Sequence, residues 1–145
     1  MQSLNVLYDA HIVSVSLETP LLSNLSIIEN IALIEEVHQN LPREVAHTNA
    51  LEKLSLLRLE TIAMSRIASC NQFEYFNVLL IRASMMLDAK IYVVLPLQQF
   101  HTNSSIGDML QSIVDVSVEE KITILDLVSS VEDYKLKGVI CHIIE

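Results

Sequence analysis

Apolar and polar positions alternate in Ile12-Val13-Ser14-Val15-Ser16 with the period of two that a strand imposes, and Glu18-Thr19-Pro20 ends the run. Ser26-Ile27-Ile28-Glu29 has the spacing of a capping box and opens a helix carrying Ile31, Leu33, Ile34 and Val37, which ends near Asn40, before Pro42. A second helix is predicted over Arg43 to about Leu57, with Val45, Leu51, Leu54 and Leu57 at helical spacing, and a shorter helical piece over Glu60 to Ile67. Asn71 and Glu74 repeat the capping arrangement at the head of a helix running to about Ala89. A strand at Lys90–Leu95 closes at Pro96, and Ser104 or Ser105 caps a helix to about Val116. A strand at Ile122–Val128, a short helix at Val131–Leu136 and a last strand at Val139–Ile144 complete the pattern. Strands alternating with helices imply an α/β fold with a mostly parallel sheet.

The 145 residues suffice for one domain with a sizeable core, and 51% hydrophobic residues with only two glycines and three prolines exclude a disordered chain. Net charge is −9 with nine basic residues and no basic patch, which argues against nucleic acid as a partner. No apolar run reaches the ~18 residues of a membrane span. Met1-Gln2-Ser3-Leu4-Asn5 has no positive n-region, so a cytoplasmic protein without a signal peptide is expected.

Candidate chemistry is sparse. His11, His38, His47, His101 and His142 form no HxxxH or HExxH pair, and Cys70 and Cys141 form no CxxC, so neither a metal site nor a redox pair is expected. Glu35-Glu36 and Glu119-Glu120 read as solvated pairs, no Gly-x-Ser-x-Gly elbow is present, and Met64, Met85 and Met86 read as core filler. Arg82, among apolar residues on its helix, suits a structural ion pair or a carbonyl contact.

Leu21-Leu22-Ser23-Asn24-Leu25-Ser26-Ile27-Ile28-Glu29-Asn30 resembles the segment after the Q-loop of ABC-transporter ATPases, and Arg82-Ala83 followed by Ile91-Tyr92-Val93-Val94-Leu95-Pro96 resembles their passage from signature helix to Walker B strand. The resemblance spans nearly everything from His11 onward and implies a truncated RecA-like sheet (1–25 and 88–145) with a helical subdomain (26–87). It also implies lost chemistry. Leu17 (or Ser16) falls on the Q-loop glutamine, and Cys70-Asn71-Gln72-Phe73-Glu74 falls on the signature Leu-Ser-Gly-Gly-Gln. Val94 and Leu95 fall on the Walker B carboxylates, His101 on the D-loop aspartate and Ser129 on the switch histidine. No Gly-x-x-x-x-Gly-Lys-Ser/Thr occurs, the only glycines being Gly107 and Gly138. A pseudo-ATPase without cofactor or metal is therefore expected, acting in transport as a binding or structural subunit.

The partner implied is a membrane permease subunit or a homologous ATPase subunit, which would place the protein peripherally at the inner face of a membrane without insertion. Contact candidates are Leu17, Pro20, Leu21, Leu22, Asn24, Phe73 and Tyr75, with the Arg43–Ile67 block. Asp126, read as lying in the middle of the Ile122–Val128 strand, suits an edge strand guarded against stray pairing, the rival account being a buried aspartate with local donors. An exposed edge gives the alternative function, an α/β interaction module that forms a homodimer.

Overall fold

Three short parallel strands organise the chain, and among the described residues every helix of ten or more residues lies in a crossover between them. The computed structural model describes residues 12–100, 106–116, 118 and 121–144. Strand β1 (Ile12–Val15) leads into helices α1 (Ile27–His38), α2 (Arg43–Leu56) and α3 (Gln72–Ser84). Then follow β2 (Lys90–Val94), the single turn α4 (Pro96–Gln99), α5 (Ile106–Asp115), β3 (Ile122–Leu125) and α6 (Val131–Leu136). The sheet order is β1-β2-β3, with Val13 opposite Ile91 and Ile91 opposite Ile122. The fold is α/β with a parallel sheet, as the alternation of patterns predicts.

Both crossovers run in the same direction across the sheet, so with the usual right-handed connection they lie on one face. Burial agrees. Val15, Ile91 and Val93 belong to the core, with Val13, Ile122 and Ile124 packed against it. Thr123 and Leu125, on the opposite face, are exposed. One face of this sheet is therefore covered by helices, and the other is open at β3.

Both capping boxes form. Ser26 Oγ accepts the Glu29 amide at 3.3 Å while Glu29 accepts the Ser26 amide at 3.0 Å, which holds the Glu29 carboxyl below the usual carboxylate range. The preceding two helical amides, of Ile27 and Ile28, donate to the carbonyls of Ser65 and Ala63, each at 2.9 Å. Those carbonyls are thereby taken from any helix of their own. This explains why Glu60–Ile67, expected to be helical, is instead two separate 3-10 turns, Glu60–Ile62 and Ile67–Ser69.

Several other boundaries differ from the pattern. In α2 the buried stripe is Ala46, Ala50 and Leu54, while Val45 and Leu51 face solvent. Alanines let α1 and α2 approach closely, and the larger side chains turn outward. Met64 is 80% exposed rather than core filler, whereas Met85 is buried. Helix α3 stops at Ser84, and β3 stops at Leu125, three residues before Val128. Val139–Ile144 forms no strand. The expected cap at Ser104 or Ser105 lies outside the described residues, as do His11, Glu119 and Glu120.

Candidate functional site

In parallel α/β sheets, ligands bind beyond the carboxyl ends of the strands, where neighbouring connections diverge. Here the described connections do not diverge, because β1, β2 and β3 are adjacent in chain order and in space. The carboxyl ends are also tied up by the chain's own groups. After β1, the Leu17 amide donates to Gln99 Oε1 at 2.7 Å, and Ser16 Oγ donates to the same oxygen at 3.3 Å. After β2, the Leu95 amide donates to the Leu125 carbonyl at 2.7 Å, and the Leu95 carbonyl accepts the amides of Gln98 and Gln99. Leu95 does this with φ 46°, a left-handed conformation that costs a branched side chain of this size about 1 kcal/mol or more. Pro96 then starts α4, whose first position suits a residue lacking N–H.

The head of α3, matched by sequence to the ABC signature, is occupied in the same manner. Asn71 Oδ1 accepts the Glu74 amide at 2.8 Å, and Glu74 accepts the Asn71 amide at 2.9 Å. A carboxylate sits at the positive end of the helix, which is where an anionic ligand would otherwise be favoured. Behind it, the Phe76 and Phe100 rings meet edge to face at 5.2 Å, and Phe73 stacks on Phe76 at 6.4 Å. Cys70 is half-buried, and burial pushes its thiol up, away from thiolate chemistry.

Sequence positions matched to the ABC site thus separate into three groups. Leu17 is brought to Gln99, two residues before His101, by the 2.7 Å bond. Val94 and Leu95 are half-buried at the end of β2, next to β3. Ser129 is exposed in the 3-10 turn Val128–Ser130, and His101 is outside the described residues. Among the described residues, no three His, Cys, Asp or Glu side chains gather to hold a metal.

Asp126 follows β3 rather than sitting inside it, and it is satisfied locally. Its carboxylate accepts the Leu127 amide at 2.8 Å and the Tyr134 hydroxyl at 2.6 Å. Burial, then the bond to Asp126, pushes the Tyr134 phenol far above the usual tyrosine range. The local-donor account of Asp126 is the one this geometry fits. β3 is nonetheless an edge strand among the described residues.

The loop from Leu17 to Leu25 is the best-anchored irregular segment. Arg82 donates from Nη1 to the Pro20 carbonyl at 2.9 Å and from Nη2 to the Thr19 carbonyl. The Leu21 amide donates to Tyr75 Oη at 3.0 Å. Asn30, 2% exposed, accepts the Leu22 amide at 2.7 Å and donates to the carbonyls of Leu22 and Ser26 at 3.1 and 3.0 Å. Arg66 Nη1 reaches the Asn24 carbonyl at 2.6 Å. With its backbone fixed in this way, the loop turns Leu21 into the core, which corrects its place among the contact candidates, and leaves Leu17, Pro20, Leu22 and Asn24 exposed. Tyr75 and Phe73 are half-buried, Tyr75 as an anchor and Phe73 in the aromatic stack.

Asn30 and Gln99 are the residues whose roles pattern reading missed. Asn30 stands one turn inside a helix, an unusual place for asparagine, and that was the available signal. Gln99 carries none. No protein-family model matches the chain, and no curated protein matches it. Among the described residues, no helix is long and apolar enough to cross a membrane.

Proposed function

We propose that this chain is a non-hydrolysing relative of ABC-transporter ATPases, with a reduced RecA-like sheet, that works as a binding subunit by docking a permease helix on the loop Leu17–Leu25. The observation that carries the reading is the loop itself. Side chains from α1, α3, α4 and the Ser65–Arg66 segment hold its backbone, while Leu17 and Leu22, each 46% exposed, stand outward. Met64 is exposed beside Ser65 and Arg66, the segment that pairs with Ser26 and binds Asn24. A rigid backbone with apolar side chains and a methionine at its border suits the apolar stripe of a helix. Conversion of the ends of β1 and β2 and of the α3 head to internal bonds supports a role without phosphate chemistry.

The test is isolation of the native chain from its own cells, after gentle detergent extraction, with identification of what accompanies it. A stoichiometric complex with a multi-span membrane protein is expected. Leu22→Glu, a change at an exposed side chain, is expected to lose at least ~90% of that recovery while leaving the far-UV spectrum unchanged. Recovery of the wild-type chain with no membrane protein, or undiminished recovery for Leu22→Glu, contradicts the reading.

A further inference from the structure

We propose that the cavity between the end of α2, the head of α3 and one face of α5 binds a linear aliphatic polyamine. This goes beyond the docking role and is independent of it. The cavity has a volume of about 560 Å³, within the roughly 300–1,000 Å³ of small-molecule sites. Arg58 lines it after α2, Phe73 and Asn77 from α3, and Asp108, Ser112 and Asp115 from α5.

The observation that points to a ligand is Asn77. This residue is 4% exposed, and its Oδ1 is buried with no hydrogen-bond partner among the described residues. Buried amide oxygens are ordinarily paired, because an acceptor taken from water and left unpaired is costly. Asn77 lines the cavity, so a molecule entering there can supply the missing donor. The oxygen requires an N–H or O–H.

Helix α5 supplies the charge. Asp108, Gln111, Ser112 and Asp115 stand at i, i+3, i+4 and i+7 and therefore share one face, while Met109 and Ile113 turn into the core. The two aspartates are seven residues apart, about 10 Å along the helix, with buried Ser112 between them. Asp115 accepts Gln111 Nε2 at 2.9 Å, and a carboxylate retains acceptor capacity beyond one such bond. Against the two carboxylates the lining holds one cation, Arg58, so the cavity is net negative in a chain of net charge −9.

These features select one ligand chemistry. Two anions about 10 Å apart match the two terminal ammonium groups of an extended polyamine. Its methylene stem lies along Phe73, and an internal secondary ammonium donates to Asn77 Oδ1. An anion is repelled by both aspartates. A bare metal ion lacks a ligand set, since no three metal-ligating side chains gather among the described residues.

Isothermal titration of the full chain with spermidine tests the proposal. One site per chain is expected, with a dissociation constant below ~100 μM at ~20 mM salt that weakens ~10-fold by ~0.2 M salt. 1,3-Diaminopropane, too short to reach both aspartates, is expected to bind at least ~10-fold more weakly. Asp115→Asn, at an exposed side chain that keeps an oxygen for Gln111, is expected to weaken spermidine ~10-fold or more. Glu132→Gln removes the same charge outside the cavity and should stay within ~2-fold of wild type. Asn77→Leu separates the ligand from the fold. Removing an unpaired buried oxygen should leave the melting temperature at or above wild type while spermidine weakens ~10-fold. Absence of saturable heat at ~20 mM salt, equal binding of the short diamine, or equal losses for Asp115→Asn and Glu132→Gln overturns the proposal. So does an Asn77→Leu variant that melts below wild type or binds spermidine undiminished.

Discussion

Replacing Asn30 by leucine is expected to destabilise the protein by about 3 kcal/mol, although the new side chain has similar size and greater hydrophobicity. Asn30 is buried and its amide makes three short bonds, to both backbone groups of Leu22 and to the Ser26 carbonyl. Leucine cannot replace any of them. Each lost bond removes ~1 kcal/mol, and although the Leu22 and Ser26 carbonyls keep the amides of Leu25 and Asn30, the Leu22 amide loses its acceptor and adds a desolvation cost of similar size. Added apolar burial offsets only part of this. In urea the midpoint should fall by about 1.5 M with little change in slope. Asn24→Ala, at an exposed side chain six residues earlier, is the control and should stay within ~0.5 kcal/mol of wild type. An Asn30→Leu variant as stable as wild type would mean that the loop Leu17–Leu25 is not held as described.

Phe76→Ala is expected to cost 3–5 kcal/mol and to lower the melting temperature by roughly 15 °C. Phe76 is 2% exposed and lies between Phe73 and Phe100, at 6.4 and 5.2 Å. Truncation removes the whole ring, leaves a cavity, and ends two aromatic contacts worth up to ~1 kcal/mol each. It also releases Phe100, the residue after α4, and with it the Gln99 amide that ties down Ser16 and Leu17. Differential scanning calorimetry measures the loss, and Phe76→Leu should recover more than half of it. If Phe76→Ala melts within ~3 °C of wild type, the three rings do not close this end of the molecule.

What could be read from the chain beforehand was what local chemistry decides. Ser26 with Glu29 and Asn71 with Glu74 are self-contained devices, and α1 and α3 begin where they indicate. The strands Ile12–Val15 and Lys90–Val94 are likewise short runs with clear breaks. Features set by tertiary partners were not legible. In α2, periodicity alone could not choose between the stripe of Val45 and Leu51 and that of Ala46, Ala50 and Leu54, because the choice depends on how closely α1 approaches. Val139–Ile144 has the composition of a strand, yet composition does not provide a neighbour to pair with. Glu60–Ile67 lost its helix because two of its carbonyls serve the start of α1.

The site followed the same division. Occupation of the α3 head by Glu74 was readable from four adjacent letters. Closure at the ends of the strands was not, since the bond between Leu17 and Gln99 joins residues 82 apart in the chain. Asp126 illustrates the middle ground. A charge near the end of an apolar run announces something, but only Tyr134 shows that the aspartate is held by a local hydroxyl.

If the chain is the non-hydrolysing ABC-ATPase relative proposed, its own amides, carboxylates and rings fill the places where a nucleotide's phosphates would be held. Isothermal titration of the full chain with Mg-ATP, in a well-buffered solution at ~0.15 M salt, measures this most directly. No saturable heat is expected up to ~1 mM nucleotide. A saturable isotherm in the micromolar range, lost on competition with Mg-ADP, would contradict it.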